Sequence, residues 1–317
     1  MATTPEQHFA QSFQADAENL YQQQFSKLFR CIRTERMDVE SDFFNFVGNL
    51  EDDDDVTTVR HGDTVWTDLP HTRRRLTLVA KDKAVPLDKN DLKRMSYDPT
   101  SHYVTSLMGY YGRWLDRKIL ARALGTAYAG KNGATSINVY DVGESRVMNS
   151  DGTLATAGSD CSNTTATSLT AEKLLTLGAV MNDANVPDDG ERYIAVDDWQ
   201  IKDLLDDSTW GGEEYKSLRN IRDGKMDRLL GFNFVVLPSS TFNLNTTDTE
   251  AFETIAWHRS AILCATGSGS YAPEIRIDER ADKKYTKQIF CNIYADASRM
   301  QGPGVIKVLL KRIAVTS

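Results

Sequence analysis

The clearest periodic signal in the chain is a run of apolar residues at steps of three and four: Val104, Leu107, Met108, Tyr111, Leu115, Ile119 and Ala123. That spacing places them on one face of an amphipathic helix of roughly seven turns. Just upstream, Asp98 is suited to cap free amides and Pro99 to open the first turn. A second helix is predicted from Thr170 to Ala184, stopped by Asn185 and Pro187, and Asp197 is placed to cap a short helix holding Trp199, Ile201, Leu204 and Leu205. Residues 6–50 carry a looser helical stripe, Phe9, Phe13, Leu20, Phe25, Leu28, Phe29 and Ile32, opposite a very polar face. Such a stripe cannot bury itself alone, so it is expected to lie as an arm along other surface, in its own subunit or a neighbour.

Period-two patterning marks the strands. "VTTVRHGDTVW" (56–66) and "RRLTLVAKDKAV" (74–85) alternate, with Leu76, Leu78 and Ala80 on one face and Thr77, Val79 and Lys81 on the other. With "HGD" (61–63) as a turn, residues 56–85 read as strands carrying a long, highly charged excursion. "SINVYDV" (136–142), "RYIAV" (192–196), "GFNFVVLPS" (231–239) and "SAILCAT" (260–266) are further strands, and residues 149–168 form a long loop of small polar residues. The chain closes with "KQIFCNIYADASRM" and "GVIKVLLKRIAV", which read as two long antiparallel strands turning at "QGPG". There is no internal repeat.

Composition narrows the class. Of 317 residues, 40% are hydrophobic and 26% charged, as in a soluble globular protein. The longest apolar runs fall far short of the roughly 20 residues of a membrane helix, and the N-terminus lacks the pattern of a secretory signal, so a cytoplasm is the expected compartment. A net charge of −8, from 45 acidic and 37 basic residues, argues against a protein that grips nucleic acid tightly, although "TRRR" (72–75) can touch DNA locally. Cys31, Cys161, Cys264 and Cys291 stand far apart, which favours reduced, mostly buried thiols over a zinc site. "EDDDD" (51–55) reads as solvated loop rather than a cation site.

Candidate chemistry fails on inspection. "GTAYAGKN" (125–132) comes close to the phosphate-binding G-x-x-x-x-G-K-[ST], but Asn132 replaces the hydroxyl residue. The stretch also falls on the last turn of the long helix, where Gly130 suits a left-handed cap and Lys131 the negative dipole end. A phosphate loop needs the opposite polarity, a strand before it and a helix N-terminus after it. The five histidines, His8, His61, His71, His102 and His258, lie in different predicted elements, and "HGD" is better read as a turn than as acid–base machinery. There is no G-x-S-x-G elbow, "GSGS" (267–270) reads as a flexible loop, and the paired acids Asp197–Asp198 and Asp206–Asp207 do not face one point. No catalytic, cofactor-binding or metal-binding residue is assigned. The unusual features all concern reach: an arm, a charged excursion, a long helix and long terminal strands.

Four stretches in order, "RWLDRKILARALGTAYAG", "GERYIAVDDWQIKDLLDD", "IRDGKMDRLLGFNFVVLPS" and "YADASRM" followed by "GVIKVLLKR", resemble the major capsid proteins of tailed bacteriophages. The resemblance covers nearly the whole chain and implies an α+β, Hong Kong 97-type fold. Its segments would be an N-terminal arm (1–50), an extended β-hairpin loop with peripheral-domain strands (51–92), the long spine helix of the peripheral domain (93–134), an axial domain (135–280) and C-terminal strands returning to the peripheral domain (281–317). Neither a protease-like or long helical leader nor an accessory insertion is recognisable, so a fused scaffold is not expected.

The resemblance implies a structural protein, not an enzyme, self-assembling as pentamers and hexamers into an icosahedral shell around double-stranded phage DNA. It would be a virion component, made and assembled in the bacterial host cytoplasm. Portal, scaffolding or decoration proteins are implied partners, DNA is enclosed without sequence-specific binding, and neither a cofactor nor a membrane is involved. Arg60, Arg73, Arg74, Arg75, Lys81, Asp82 and Lys83 would be intersubunit contacts that set register. An encapsulin-like compartment shares the fold and would enclose cargo enzyme instead; an enzyme with an unrecognised site and an adhesin or tail component are rival classes.

Overall fold

The computed structural model describes residues 22–23, 25–48, 66, 68–88, 100–144, 146–161, 167–206, 228–244, 251–267 and 274–311. Among them are three α-helices, α1 (Thr100–Leu124), α2 (Ala171–Asp183) and α3 (Asp198–Asp206). The strands are β1 (Arg33–Met37), β2 (Ser41–Val47), β3 (His71–Thr77), β4 (Ala80–Leu87), β5 (Ala127–Ala129), β6 (Thr135–Ile137), β7 (Arg146–Met148) and β8 (Arg192–Val196). They continue with β9 (Arg228–Leu229), β10 (Phe232–Val236), β11 (Asn243–Leu244), β12 (Ala251–His258), β13 (Ile262–Gly267), β14 (Glu274–Arg280), β15 (Thr286–Arg299) and β16 (Val305–Lys311). The chain divides into two compact units, one from the described residues of 1–25, 80–113 and 272–293, the other from those of 26–79, 114–271 and 294–317.

The larger unit is organised by a seven-stranded sheet in the order β7-β16-β12-β8-β10-β9, with β11 also on β12. β12 is antiparallel to β16 from Ala251↔Lys311 to Trp257↔Val305 and antiparallel to β8 at its other edge, while β10 runs parallel to β8. These central strands are buried almost throughout, which fits near-continuous apolar runs in strands covered on both faces. Leu174, Leu177 and Met181 form the buried face of α2, whose Thr170 side chain caps the Lys173 amide as its sequence position predicts. A second sheet has the order β2-β3-β5-β6, and β1 pairs parallel to β13, which pairs in turn with residues 295–299 of β15. Met37, Leu76, Leu263, Ala265 and Met300 form a core cluster between elements of these two groups.

In the smaller unit β14 and the first half of β15 form a hairpin, Glu274↔Asn292 to Arg280↔Thr286, and β4 also pairs with β15. Leu107 and Tyr111 are the buried hydrophobic side chains on its part of α1; the Tyr111 hydroxyl donates to the Cys291 carbonyl at 2.6 Å.

Several expectations need correction. The stripe of residues 6–50 does not continue as a helix into its described part. Leu28 and Ile32 are buried, but they flank a single 3-10 turn, and two strands follow. Phe9, Phe13, Leu20, Asp98, Pro99, "EDDDD" and "HGD" lie outside the described residues. Within 74–85 the strand breaks between Thr77 and Ala80, and Arg74, not Ala80, shares the buried face with Leu76. The long helix ends at Leu124, so Gly130 is not its cap; with φ of 87° it turns the chain between β5 and β6, where its amide bonds to the Arg73 carbonyl. Of "SINVYDV" only Ser136 and Ile137 are strand, in the three-residue β6. The two closing strands exist but do not pair with each other: β15 joins β13 and β14, whereas β16 joins β12 and β7. Cys264 and Cys291 are buried, Cys31 and Cys161 half-buried.

Candidate assembly surface

The motif residues that looked distinctive in the sequence hold the second half of α1 in place. Asp116, 1% exposed, accepts hydrogen bonds from the Ser26 hydroxyl and the Lys27 and Leu28 amides, and Ser26 Oγ in turn accepts from the Phe29 amide. One carboxylate on the helix thus caps the turn at the root of the N-terminal segment. Two turns along, Arg122 forks onto Asp296 at 3.0 and 2.8 Å. Arg299, fully buried, donates to the carbonyls of Ala123 and Gly125 at the end of α1 and of Ile137 on β6. It satisfies acceptors that a helix end leaves free. Burial pulls its guanidinium down to about 10, opposed by the nearby Glu144 carboxylate.

Glu144 links this core to the basic run. Its Oε1 takes a hydrogen bond from Arg74 Nη2 at 2.5 Å, and its Oε2 lies 4.0 Å from Arg299 Nε. A Cβ at Gly302 would come within 2.8 Å of the Glu144 Cα, so the glycine of "GPG" permits this close approach. Arg74 is therefore buried and engaged inside its own subunit, whereas its neighbours lie half-buried on the opposite face of β3. Arg73 bonds to the Asn45 side chain at 2.6 Å and lies over the Phe43 ring, and Arg75 lies over Tyr128 with its centre 5.1 Å from the ring. In the smaller unit, Asp82 and Lys83 are exposed and Lys81 half-buried on β4, with Lys83 Nζ 4.1 Å from the Tyr110 ring centre. Arg60 lies outside the described residues.

One cluster escaped the sequence reading. His258 sits between Asp189 (Nε2 to Oδ1, 3.1 Å) and Ser260 (Nδ1 to Oγ, 2.8 Å), and Glu191 completes a group of three possible metal ligands. The backbone amide of Glu191 and then His258 hold the Asp189 carboxyl below the usual carboxylate range. His258 Nδ1 also accepts from the Ser260 amide, and Glu191 is bound to Arg259 at 2.6 Å, so each member already caps or braces the turn at 259–261. Sixty-nine residues separate His258 from Asp189, and no local spacing announces the contact.

The phage capsid protein family profile matches residues 6–311. The chain belongs to that family. A comparison with curated protein sequences found no match. Among solved structures, the capsid asymmetric unit of cyanophage Pam1 aligns with 99% of this chain and 99% of its own at a TM-score of 0.71 and 13% identity. The capsid of Ralstonia phage GP4 aligns over 97% and 96% at 0.69 and 12%, and the head of Helicobacter pylori bacteriophage KHP40 over 96% of each chain at 0.68 and 12%. Likeness at such identity speaks for the fold, which is the Hong Kong 97-type capsid fold. The capsid subunit is a structural, non-enzymatic component of the virion, and copies of it build the shell. The near-match to a phosphate loop fits this role, because "GTAYAGKN" follows the end of α1, runs through β5 into the turn before β6 and opens no helix.

Proposed function

We propose that this capsid subunit assembles as pentamers and hexamers into an icosahedral shell enclosing double-stranded DNA, built in the bacterial host cytoplasm with portal, scaffolding or decoration proteins and without a membrane. The observation that carries the reading is the family match along residues 6–311, on a fold shared with phage capsids from end to end. The net charge of −8 suits a wall that encloses a polyanion without clamping it. Among the described residues no helix is long and apolar enough to cross a membrane. The working layout keeps the arm at 1–50, extended loop at 51–92, spine helix at 93–134, axial domain at 135–280 and return segment at 281–317; β16, in the last segment, is a strand of the seven-stranded sheet.

Arg60, Arg73, Arg75, Lys81, Asp82 and Lys83 are assigned to contacts between subunits, with Arg74 positioning β3 from inside through Glu144. Interfaces of ordinary size, about 1,200–2,000 Å², repeated around each subunit would hold the shell without one dominant contact. Two measurements test the reading. Particles should contain nuclease-protected double-stranded DNA after packaging; shells filled with a cargo enzyme instead would point to the encapsulin-like compartment. Reversing Arg73 and Arg75 to glutamate should give folded subunits that fail to close shells, and normal shells from that variant would remove these residues from the interface.

A further inference from the structure

We propose that β14 pairs edge to edge with the β14 of a second copy across a two-fold axis, a contact that rests on the shell reading above. Among the described residues, β14 pairs only with β15, leaving its other edge as the end of the sheet. It is exposed nearly throughout, and Ile277 is 50% exposed. Unpaired edges of this kind template pairing with another chain. One face of the strand reads Glu274, Arg276, Asp278, Arg280, a strict alternation of sign.

That alternation is self-complementary in one register. A two-fold axis perpendicular to a sheet keeps the same face on both copies, so the centre of the pairing must fall on a residue. Centred on Ile277, the ladder sets Glu274 against Arg280 of the copy and Arg276 against Asp278, each twice by symmetry. All four charges on that face then meet an opposite charge directly across, where cross-strand pairs interact most strongly, while Glu279 on the other face stands opposite Ile275. Centring on Arg276 or Asp278 sets like charges opposite, and centring on Ile275 or Glu279 leaves part of the strand unmatched. On the other face Ile277 covers its own copy. Arg276 is held by Glu274 and Arg280 by Asp282 at 2.5–2.8 Å, with a longer bond of 3.3 Å from Arg280 to the Gln288 side chain on β15, and these side chains are about half exposed or more, so the exchange of partners starts from solvent-accessible groups.

The test has two arms. R276E or D278R alone should lose shell assembly while the subunit stays folded, because each places like charges opposite in both symmetry-related pairs. R276E/D278R should recover assembly, as should a mixture of the two single variants. Singles that assemble like the parent would overturn the pairing, and singles that fail without rescue by the double would assign the edge to a different segment. Independently, I277C should form a disulfide-linked dimer under oxidation, its two Cα atoms ~5 Å apart in the ladder, whereas I275C should not. Shells without that cross-link would refute the pairing alone; cross-linked dimers from a chain that builds no shells would refute the shell reading alone; neither shells nor cross-link would refute both.

Discussion

Replacing Arg299 by alanine is the most informative single perturbation of the subunit itself. The side chain is fully buried and its five-donor fork holds three carbonyls, those of Ala123, Gly125 and Ile137, while balancing Glu144 together with Arg74. Its removal strands one buried and two part-buried acceptors, each worth about 1–3 kcal/mol when fully buried and unsatisfied, and leaves a side-chain-sized void. Partial relaxation and water entry recover some of this, so the expected loss is about 4–6 kcal/mol. R299K keeps a charge but replaces a planar fork by a point donor that reaches fewer carbonyls, with an expected loss of about 2 kcal/mol. Urea unfolding of the unassembled subunit, followed by tryptophan fluorescence, measures both; Trp114 and Trp257 belong to the same compact unit as Arg299. Amide exchange should show the end of α1 opening first in R299K. An R299A midpoint corresponding to less than about 1 kcal/mol of loss, the range of ordinary surface changes, would refute the assignment of Arg299 as the clamp on the helix end.

Three further outcomes follow from the same bonds. D116A leaves the Ser26 hydroxyl and the Lys27 and Leu28 amides without their acceptor; it should cost about 3 kcal/mol in urea unfolding and expose the 26–31 turn to protease, whereas unchanged cleavage would separate this turn from Asp116. Y111F removes the donor to the Cys291 carbonyl and should cost about 1–2 kcal/mol, read as accelerated exchange in β15 with the helix unaffected. Lys173, 2% exposed and bonded to the carbonyls of Ser150 and Thr167, has its ammonium pulled by burial to about 8 from an ordinary 10.5. Between those values the unfolded chain holds a proton that the folded chain has released, so this group makes stability rise with pH from about 8 to 10.5, by up to about 1.4 kcal/mol per pH unit. K173M should lack that rise relative to the parent, and parallel curves for the two would contradict it.

Much of the fold was legible where one local pattern decides it. The stripe from Leu107 to Ala123 is the buried face of α1, Thr170 caps α2, and "RYIAV" is the buried β8. The misreadings arose where partners are distant. "AFETIAWH" alternates poorly because β12, central in its sheet, is buried on both sides, so no period-two pattern marks it. "EIRIDER" is too charged to advertise a strand whose stability comes from β15. A turn between two apolar runs suggests a hairpin, but β15 and β16 find their partners in β13 and β12, which no local signal encodes. The basic run was legible as a patch, not as three different roles: Arg74 differs from Arg73 and Arg75 only in the face of β3 on which it falls and in Glu144 waiting there, 70 residues away. Asp116, Asp296 and Arg299 stood inside the stretches that carried the family resemblance, yet their roles appear only when helix, strand and turn are brought together.

Electron microscopy of the purified full-length chain, concentrated under assembly conditions, tests the central claim most directly. Closed shells of uniform diameter, with this subunit as their wall, are the predicted result. Dispersed subunits that stay monomeric at every concentration, with scaffolding and portal proteins supplied, would contradict it.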